Sequence, residues 1–195
     1  MQNILFAFLL SIGLFGCKSE VQKKTKDIVV VAVKPVKKDS VKLTNGFDFP
    51  VGKPNASGYY NAQKFGENNH LGEDWNGVGG GNTDLGDSIY AIANGYVSFA
   101  EDINGGWGNV IRIIHQTDAD TQIESLYAHC LKIDVQEGDH VNKGDKIGTI
   151  GNNSGQYLAH LHLELRSEVG LPIGGGYSSN TSGYINPTEF IKNNR

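Results

Sequence analysis

The sequence predicts an all-β domain, and two observations carry that prediction. After residue 16, no segment repeats its apolar residues with the period of an amphipathic helix, and short apolar runs alternate with turn sequences instead. Glycine is frequent at 26 of the 195 residues and proline is scarce at 5, which favours tight turns between short strands. We therefore expect a compact barrel or sandwich of short strands.

The strand candidates follow one another from about residue 46. "SIYAIANGYVSFA" flanks Asn94-Gly95 with two apolar runs, which predicts a β-hairpin. "NVIRIIHQ" and "QIESLYAHC" predict two further strands, joined by the turn sequence "TDAD". "VQEGDHVNKGDKIGTIG" contains a short strand between two Gly-Asp turns, and "AHLHLELR" predicts a strand late in the domain.

The first 17 residues predict an export signal. The apolar run from Ile4 to Phe15 is too short to cross a bilayer, which takes about 20 residues, and its length suits a secretion signal. "LFGC" resembles the lipobox of bacterial lipoproteins, in which the cysteine, here Cys17, is acylated after cleavage. This implies a lipoprotein anchored in the cell envelope, on the periplasmic or outer-membrane face. The segment lacks an N-terminal positive charge and carries the bulky Phe15, so a plain secretory signal is the alternative.

The charge distribution divides the chain into a basic tether and an acidic domain. Residues 1–42 carry eight Lys and three acidic residues, whereas residues 43–195 carry nine Lys and Arg and eighteen acidic residues. We predict a Lys-rich tether over residues 18–45 and one domain over residues 46–195. The acidic domain argues against nucleic acid as a partner, and we expect a monomer.

The strand "AHLHLELR" presents two histidines on one face. Because side chains alternate along a strand, His160, His162, Glu164 and Arg166 share that face, and an alanine and three leucines share the other. Cα atoms two residues apart lie about 6.6 Å from each other in a strand. Both imidazoles can therefore reach one metal ion, or one can bind while the other works beside it. A polar face hydrogen-bonded to a neighbour is the alternative.

A second cluster, "NNHLGEDWNG", contains His70 and Asp74. Its glycines and asparagines oppose a helix, and on a straight strand the two side chains would lie about 13 Å apart. A bend at Gly72 would bring them together, and a surface histidine beside a turn aspartate is the alternative. Imidazole and carboxylate ligands are typical of catalytic zinc, and the absence of thiolates argues against a structural zinc finger. Spacing does not decide which of His160 and His162 completes the set.

Three motifs together point to a known family. "HLGED", "LYAHC" and "HLHLE" occur in the order and at the spacing typical of lysostaphin-type (LytM-like) zinc endopeptidases, which the chain resembles from about Phe49 to Phe190. These enzymes cleave the peptide bridges of bacterial peptidoglycan. The resemblance implies a duplicated hybrid β motif, with an open antiparallel sheet, a barrel-like core and the metal in a groove. It also implies Zn²⁺ as cofactor and peptidoglycan as substrate.

The resemblance assigns a role to each residue that matches the family pattern. It implies the metal ligands His70, Asp74 and His162 and makes His129, in "LYAHC", and His160 catalytic. One catalytic histidine would accept a proton from water and the other would steady the oxyanion, with the roles open between them.

Neighbouring residues yield further expectations. Glu164 is a candidate to orient an imidazole, with an ion pair to Arg166 or solvent exposure as the alternatives. Tyr127 precedes His129 by two residues and should share its strand face, and we expect it to pack in the core, with the groove wall as the alternative. Cys130 stands where the family often has leucine, and we expect it to be a small buried apolar residue.

Other parts of the chain bear on packing and on the groove. His115 and His140 are expected to be structural or solvated. The glycine-rich loops "WNGVGGGNTDLGDS" and "GLPIGGGYSSNTSGY" are candidates to reshape the substrate groove.

Three rival functions deserve comparison. A LytM-like domain with a degenerate site would bind cell wall or activate other hydrolases, but all five positions are filled here. "EGDHVNKGDKIG" resembles the hairpin of biotinyl and lipoyl carrier domains, but their Met-Lys-Met type of turn is missing. A cupin-like metal enzyme also uses a His-x-His pair, but its downstream glutamate and second histidine motif are not evident.

Overall fold

The computed structural model describes residues 41–118 and 120–195. The predicted signal, the lipobox Cys17 and most of the tether lie outside these residues. The described part of the chain contains ten strands and one short α-helix, beside single helical turns at Gly52–Ala56 and Glu67–Asn69. They are β1 (Tyr59–Gln63), β2 (Glu73–Gly77), β3 (Ser88–Tyr90), β4 (Gly95–Asp102), β5 (Asn109–Gln116), β6 (Gln122–Ile133), β7 (His140–Val141), β8 (Lys146–Ile150), β9 (Leu161–Arg166), β10 (Tyr184–Ile185) and α1 (Pro187–Asn193).

The strands form one open antiparallel sheet, which confirms the predicted all-β class. Its order is β1-β2-β9-β6-β5-β4-β7, with β10 paired to β9 and with β8 paired to both β3 and β6. The β5–β6 hairpin follows the prediction from its two apolar runs and the turn between them. β7 and β8 flank the second of the two Gly-Asp turns, also as expected.

The predicted hairpin at Asn94-Gly95 is wrong. β3 pairs with β8, and β4 pairs with β5 and β7, so the two apolar runs are not partners. The Asn94 side chain is used elsewhere, donating to the carbonyl of Leu43 and accepting from the amide of Lys143. A Cβ on Gly95 would lie 2.5 Å from the Ile113 side chain. Glycine is therefore needed here because β4 and β5 lie close together, and not because the chain turns.

The two faces of the sheet bury different clusters. The larger core includes Val97, Tyr127, Leu161 and Ile191, and α1 packs against it. The alanine and leucines of "AHLHLELR" lie in this core, as the alternation predicts. A smaller cluster of five buried side chains covers the other face, with Trp107 packed against it. The polar face of β9 lies on this second side, so the site is built on the face with less apolar cover.

The chain ends are attached to the domain. The helix α1 begins after Asn186, whose side chain accepts from the amide of Glu189, with a proline in the first turn. The last residues of the predicted tether also contact the sheet: Val41 is buried, and Leu43 bridges to Gln116. Within the described residues, no helix has the length and apolar character needed to span a membrane.

Candidate metal centre and groove

Two strands bring Asp74 and His162 together. β2 and β9 are antiparallel neighbours, and Asp74 lies directly opposite His162. Residues opposite each other in an antiparallel pair have adjacent side chains on the same face. The carboxylate Oδ1 of Asp74 lies 2.9 Å from Nδ1 of His162.

His70 reaches the same point because the chain bends before β2. Its backbone pairs with Tyr177 in an isolated bridge, and its carbonyl accepts from the amide of Gly66. The segment then crosses β9 so closely that a Cβ on Gly72 would lie 2.5 Å from the carbonyl oxygen of Leu163. Only glycine permits this approach, and the geometry agrees with the bend expected at that position.

The three donor atoms have the separations of ligands around one ion. Nε2 of His70 lies 3.1 Å from Nδ1 of His162 and 3.5 Å from Oδ1 of Asp74. Tetrahedral zinc with bonds of about 2.0–2.1 Å holds its ligand atoms about 3.3 Å apart. No other group of three or more histidine, cysteine or acidic side chains within the described ranges converges in this way. The donor set and its spacing therefore fit a four-coordinate cation with one open position.

The protonation of the cluster reflects its two carboxylates. Burial by itself would lower the pKa of His162, but hydrogen bonds and charge from Asp74 and Glu164 raise that pKa to about 9. Burial and the charge of His162 lower the pKa of His70. Burial would raise the pKa of Asp74, but the neighbouring histidines hold it below its usual value. The two carboxylates therefore favour positive charge at the position of His162.

His129 points at the site because β6 contains a bulge. Asn109 pairs with Cys130 and Ile111 with Tyr127, so two residues of β6 oppose one residue of β5. His129 has φ +59, a left-handed conformation that is strained for a residue other than glycine. A bulge of this kind redirects a side chain out of the regular alternation.

The bulge also overturns the expectation for Tyr127. This residue does not share the face of His129, since its ring is fully buried in the larger core and its hydroxyl accepts from the amide of Ile92. Alternation would have put the two side chains on one face, but the extra residue reverses it.

His160 stands beside His129 at the mouth of the site. The two ring centroids are 4.7 Å apart, and Nε2 of His160 lies 3.9 Å from Oδ1 of Asp74. Nδ1 of His160 lies 2.8 Å from the carbonyl of Leu158, and Nδ1 of His129 lies 3.3 Å from that of Trp107. A carbonyl only accepts, so Nδ1 carries the proton in both rings and Nε2 is the free nitrogen. Burial and the two nearby histidines lower the pKa of His129 to about 3.

A groove of about 680 Å³ opens over all five predicted site residues. Sequence reasoning missed its aromatic walls. Trp107 stacks on the ring of His129, Tyr177 stacks on that of His70, and Tyr157 lies 5.1 Å from that of His129. Each of these aromatics stands next to glycine or polar residues in a loop. An aromatic residue beside glycine or polar residues was the only sequence signal for these walls, and the same pattern is common in ordinary turns.

The two glycine-rich loops behave differently. Gly174, Gly175, Gly176 and Tyr177 of the second loop line the groove, as expected. Residues 78–88 of the first loop, all of which the structure describes, lie outside the lining, so that expectation is wrong. Asp84 of this loop instead accepts from the amide of Gly77, which closes the loop on itself.

The remaining expectations concern buried side chains near the site. Glu164 contacts the imidazole and forms the ion pair, since Oε1 lies 3.3 Å from Nε2 of His162 and Oε2 accepts from Arg166. It is buried, so the third possibility, solvent exposure, is wrong. Cys130 is buried, and burial raises the pKa of its thiol to about 12, which suits an inert core residue. His115 is buried in the sheet, and His140 is exposed at the edge of β7.

Comparison with known proteins decides the family. The sequence profile of Peptidase family M23 matches residues 69–175, more than half of the chain. The chain belongs to peptidase family M23. The matched M23 region contains His70, Asp74, His129, His160 and His162. The resemblance to the lysostaphin-type enzymes is thereby confirmed.

The relatives of this M23 chain include proteins named NlpD. It is 40% identical over 81 residues to "Lipoprotein NlpD" of Yersinia enterocolitica. The aligned segment covers 42% of this chain and 78% of that protein. It is 38% identical over 81 residues to "Murein hydrolase activator NlpD" of Escherichia coli, but only 20% of that protein is covered. The "Protein NlpD/LppB homolog" of Buchnera aphidicola is 30% identical over 171 residues, covering 84% of this chain and 46% of the relative. The chain thus spans between a fifth and a half of the longer relatives.

Solved structures of other proteins share the fold. Lysostaphin, determined by NMR, aligns with a TM-score of 0.54 and 25% identity, over 69% of this chain and 51% of lysostaphin. A chain of the SpoIIIAH–SpoIIQ complex aligns with a TM-score of 0.56 and 20% identity, over 75% of this chain and all of that one. The second likeness supports the fold alone.

Proposed function

We propose that this chain is a zinc-dependent endopeptidase that hydrolyses peptide cross-links of bacterial peptidoglycan. One observation carries the proposal: three metal-binding donors and two further imidazoles converge on one groove. Each imidazole has a free nitrogen beside the donor cluster. A protein that only binds cell wall does not require this complete set.

The chain's own residues define how the metal would be held. Nε2 of His70, Oδ1 of Asp74 and Nδ1 of His162 are the donors, and Glu164 supports the far nitrogen of His162. With a single carboxylate ligand, the site keeps a net positive charge. Bound Zn²⁺ supplies a Lewis acid for the scissile carbonyl and lowers the pKa of a water to about 7.

The two remaining imidazoles would handle protons and developing charge. Nε2 of His129 bears a lone pair at neutral pH, because the pKa of this histidine is about 3, so it can accept a hydrogen bond from the attacking water. Nε2 of His160 faces the carboxylate of Asp74, so when protonated it can donate to the oxyanion of the tetrahedral intermediate. Their fixed Nδ1 protons keep both rings in the required orientation.

The groove favours an extended peptide of small residues. Five glycines line it, so backbone comes close to the ligand where side chains would stand. The aromatic rings of Trp107, Tyr157 and Tyr177 provide flat apolar walls beside the reacting centre. Cross-links of the bacterial cell wall have this chemistry, and NlpD of Escherichia coli has a name that refers to murein.

The same relatives support a location in the cell envelope. One is named a lipoprotein, and this chain has its own lipobox-like Cys17. We infer a lipid anchor on that cysteine, followed by the Lys-rich tether, with the domain acting as a monomer on nearby peptidoglycan.

A second function is favoured by a different observation. NlpD of Escherichia coli is named a murein hydrolase activator, and this name fits activation of another enzyme more directly than hydrolysis. Under this alternative, the groove would bind cell wall or a partner hydrolase without cutting a bond. The filled site of this chain is the reason for putting hydrolysis first.

Digestion of sacculi separates the two functions. The purified full-length chain would be incubated with sacculi, with and without a chelator, and beside the variants His162→Ala and His140→Gln. Mass spectrometry would then identify new peptide termini. Hydrolysis predicts termini from the wild type and from His140→Gln, and none with chelator or His162→Ala.

A parallel arm adds a purified peptidoglycan amidase. Activation predicts no new termini from the chain alone and faster release by the amidase, which persists in His162→Ala. Absence of both effects would contradict both functions.

A further inference from the structure

Four buried ionic side chains extend from the metal cluster along the sheet. Arg112 lies on β5, Glu124 on β6, and Glu164 and Arg166 on β9, and each is at most 1% exposed. Glu124 pairs in register with Arg166. This pair lies four residues along each strand from the pair that contains His162, so both pairs are on the same face. The row therefore continues the face that carries the metal ligands.

One end of this row contacts the metal ligand. Nε and Nη2 of Arg166 donate to Oε2 of Glu164 at 2.8 and 2.6 Å. The other oxygen of Glu164 lies 3.3 Å from Nε2 of His162. A carboxylate at Nε2 turns Nδ1 towards Asp74 and His70 and fixes the plane of the ring.

The other end of the row contacts the wall of the groove. Nη1 of Arg166 and Nη2 of Arg112 both donate to the carbonyl of Leu171, each at 3.0 Å. Glu124 accepts from the amide of Gly170 at 3.2 Å. Three residues after Leu171, the same loop lines the groove with Gly174 and its neighbours.

The energetics of burial argue for a positioning role. Ionic groups withdrawn from water lose hydration, and well-packed apolar residues often serve stability as well or better. Here two arginines and two glutamates balance in charge. Glu164 contacts the histidine, and the two arginines donate to one loop carbonyl. Arg166 is the member that contacts both Glu164 and that carbonyl.

We propose that Arg166 is a positioning residue whose one side chain supports both the metal ligand His162 and the loop of residues 170–177, of which residues 174–177 line the groove. This shared support is the coupling between the two. Arg166 acts on the histidine through Glu164 and on the wall through the carbonyl of Leu171. The inference rests on the proposed zinc site, and it predicts that metal binding and wall order are separable on either side of Arg166.

Three variants of the full chain separate the two arms of the network, the metal arm from Glu164 to His162 and the wall arm to the carbonyl of Leu171. Glu164→Gln disturbs the metal arm, Arg112→Lys disturbs the wall arm, and Arg166→Lys disturbs both. Zinc affinity would be measured by competition with a chelating dye, order of the wall by hydrogen exchange of residues 170–177, and folding by thermal unfolding.

Each variant has its own expected signature. Glu164→Gln should weaken zinc binding by about 10–100-fold and leave exchange of the wall unchanged. Arg112→Lys should speed that exchange about tenfold or more, with zinc affinity within about threefold of wild type. Arg166→Lys should show both effects. If Arg166→Lys does not fold, the double variant Glu164→Gln/Arg112→Lys must show both instead.

The outcomes that contradict the inference differ from those that contradict the proposed function. A wild-type chain that holds no zinc would overturn the zinc site and the coupling together. A wild type that binds zinc, beside an Arg166→Lys variant that changes only wall exchange, would overturn the coupling alone. Equal loss of zinc affinity in Arg112→Lys and Glu164→Gln would also overturn it, because the arms would not be separable.

Discussion

His115 and His162 are both buried in the same sheet, yet their environments have opposite effects. His115 faces two uncharged groups, the carbonyl of Asn94 at 2.9 Å and the hydroxyl of Ser125 at 2.7 Å, and burial lowers its pKa to about 4. His162 is flanked by the carboxylates of Asp74 and Glu164, and its pKa rises to about 9. Burial penalises the charged form in both cases, and only adjacent anions reverse the penalty.

The contrast teaches what separates a core histidine from a proposed metal ligand in this domain. The ring of His115 links the loop at Asn94 to Ser125, whose hydroxyl also contacts Tyr127, and all of these groups are neutral. His162 sits where positive charge is already favoured, which is the condition that a cation needs. Charge complementarity, rather than burial or residue type, distinguishes the two positions.

Removal of the carboxylate that distinguishes His162 should have the largest effect. Asp74→Asn takes away a donor atom and the negative charge that balances a cation. Zinc affinity should fall by more than the roughly 100-fold that marks the loss of outer partners, as measured by dye competition. Asp84→Asn is the matched control, since Asp84 is a buried carboxylate that bonds to Gly77, away from the groove. Equal losses in the two variants would contradict the comparison.

Acid should destabilise the fold through His115. In the unfolded chain His115 has a pKa of about 6.5, whereas in the folded chain its pKa is about 4. The stabilisation is therefore complete above about pH 6.5 and is lost as the pH falls towards 4, at a cost of about 3 kcal/mol.

Urea unfolding of the metal-free chain at several pH values measures this effect. His115→Gln should flatten the acid limb of the curve, while His140→Gln, at an exposed position, should leave it in place. An unchanged acid limb in His115→Gln would assign the effect to other groups.

Two glycines, one beside His115 and one beside His162, allow matched substitutions with a smaller expected effect. A Cβ on Gly95 would lie 2.9 Å from Nδ1 of His115, and one on Gly72 would lie 2.8 Å from Cε1 of His162. Substitution of either by alanine should destabilise the fold by about 1–3 kcal/mol, because each glycine also touches backbone or core atoms. Only Gly72→Ala should also weaken zinc binding. Thermal unfolding and dye competition on both variants check this, and reduced zinc affinity in Gly95→Ala would break the symmetry.

The smallest effect is expected from a neutral contact at the metal centre. The hydroxyl of Tyr177 donates to Oε1 of Gln63 at 3.0 Å, while its ring stacks on His70. Tyr177→Phe keeps the ring and loses one exposed hydrogen bond, so zinc affinity should change by less than about threefold. Tyr177→Ala removes the ring as well and should weaken binding further. A large loss in Tyr177→Phe would show that neutral partners matter as much as the carboxylates.

Local chemistry explains which parts of the fold were predictable. The β5–β6 hairpin was predictable because its strands are joined by a short turn, so sequence neighbours are also spatial neighbours. The Asn94-Gly95 hairpin was not, since β3 finds its partner in β8, more than 50 residues further along the chain. A turn dipeptide indicates where the chain can reverse but does not exclude a better partner elsewhere.

The candidate site shows the same division. The bend at Gly72 agrees with the residue pattern. The choice of His162 over His160 as the partner of Asp74 came from the family resemblance, and β2–β9 pairing agrees with it. The bulge that turns His129 out of alternation, and the aromatic walls at Trp107, Tyr157 and Tyr177, left no such pattern. A bulge depends on the different numbers of residues in two paired strands, and a groove wall depends on which loops come together. Neither can therefore be predicted from one segment of the sequence.

By itself, the sequence determined the β class and the motifs "HLGED", "LYAHC" and "HLHLE", because strand alternation and motif spacing act over a few residues. Only the tertiary structure decided that His162 is held between two carboxylates while His115 is held between neutral groups. Both are histidines on apolar strands, and their difference comes from side chains that other strands and loops contribute. Electrostatic environment is a property of distance in space, and folding sets that distance.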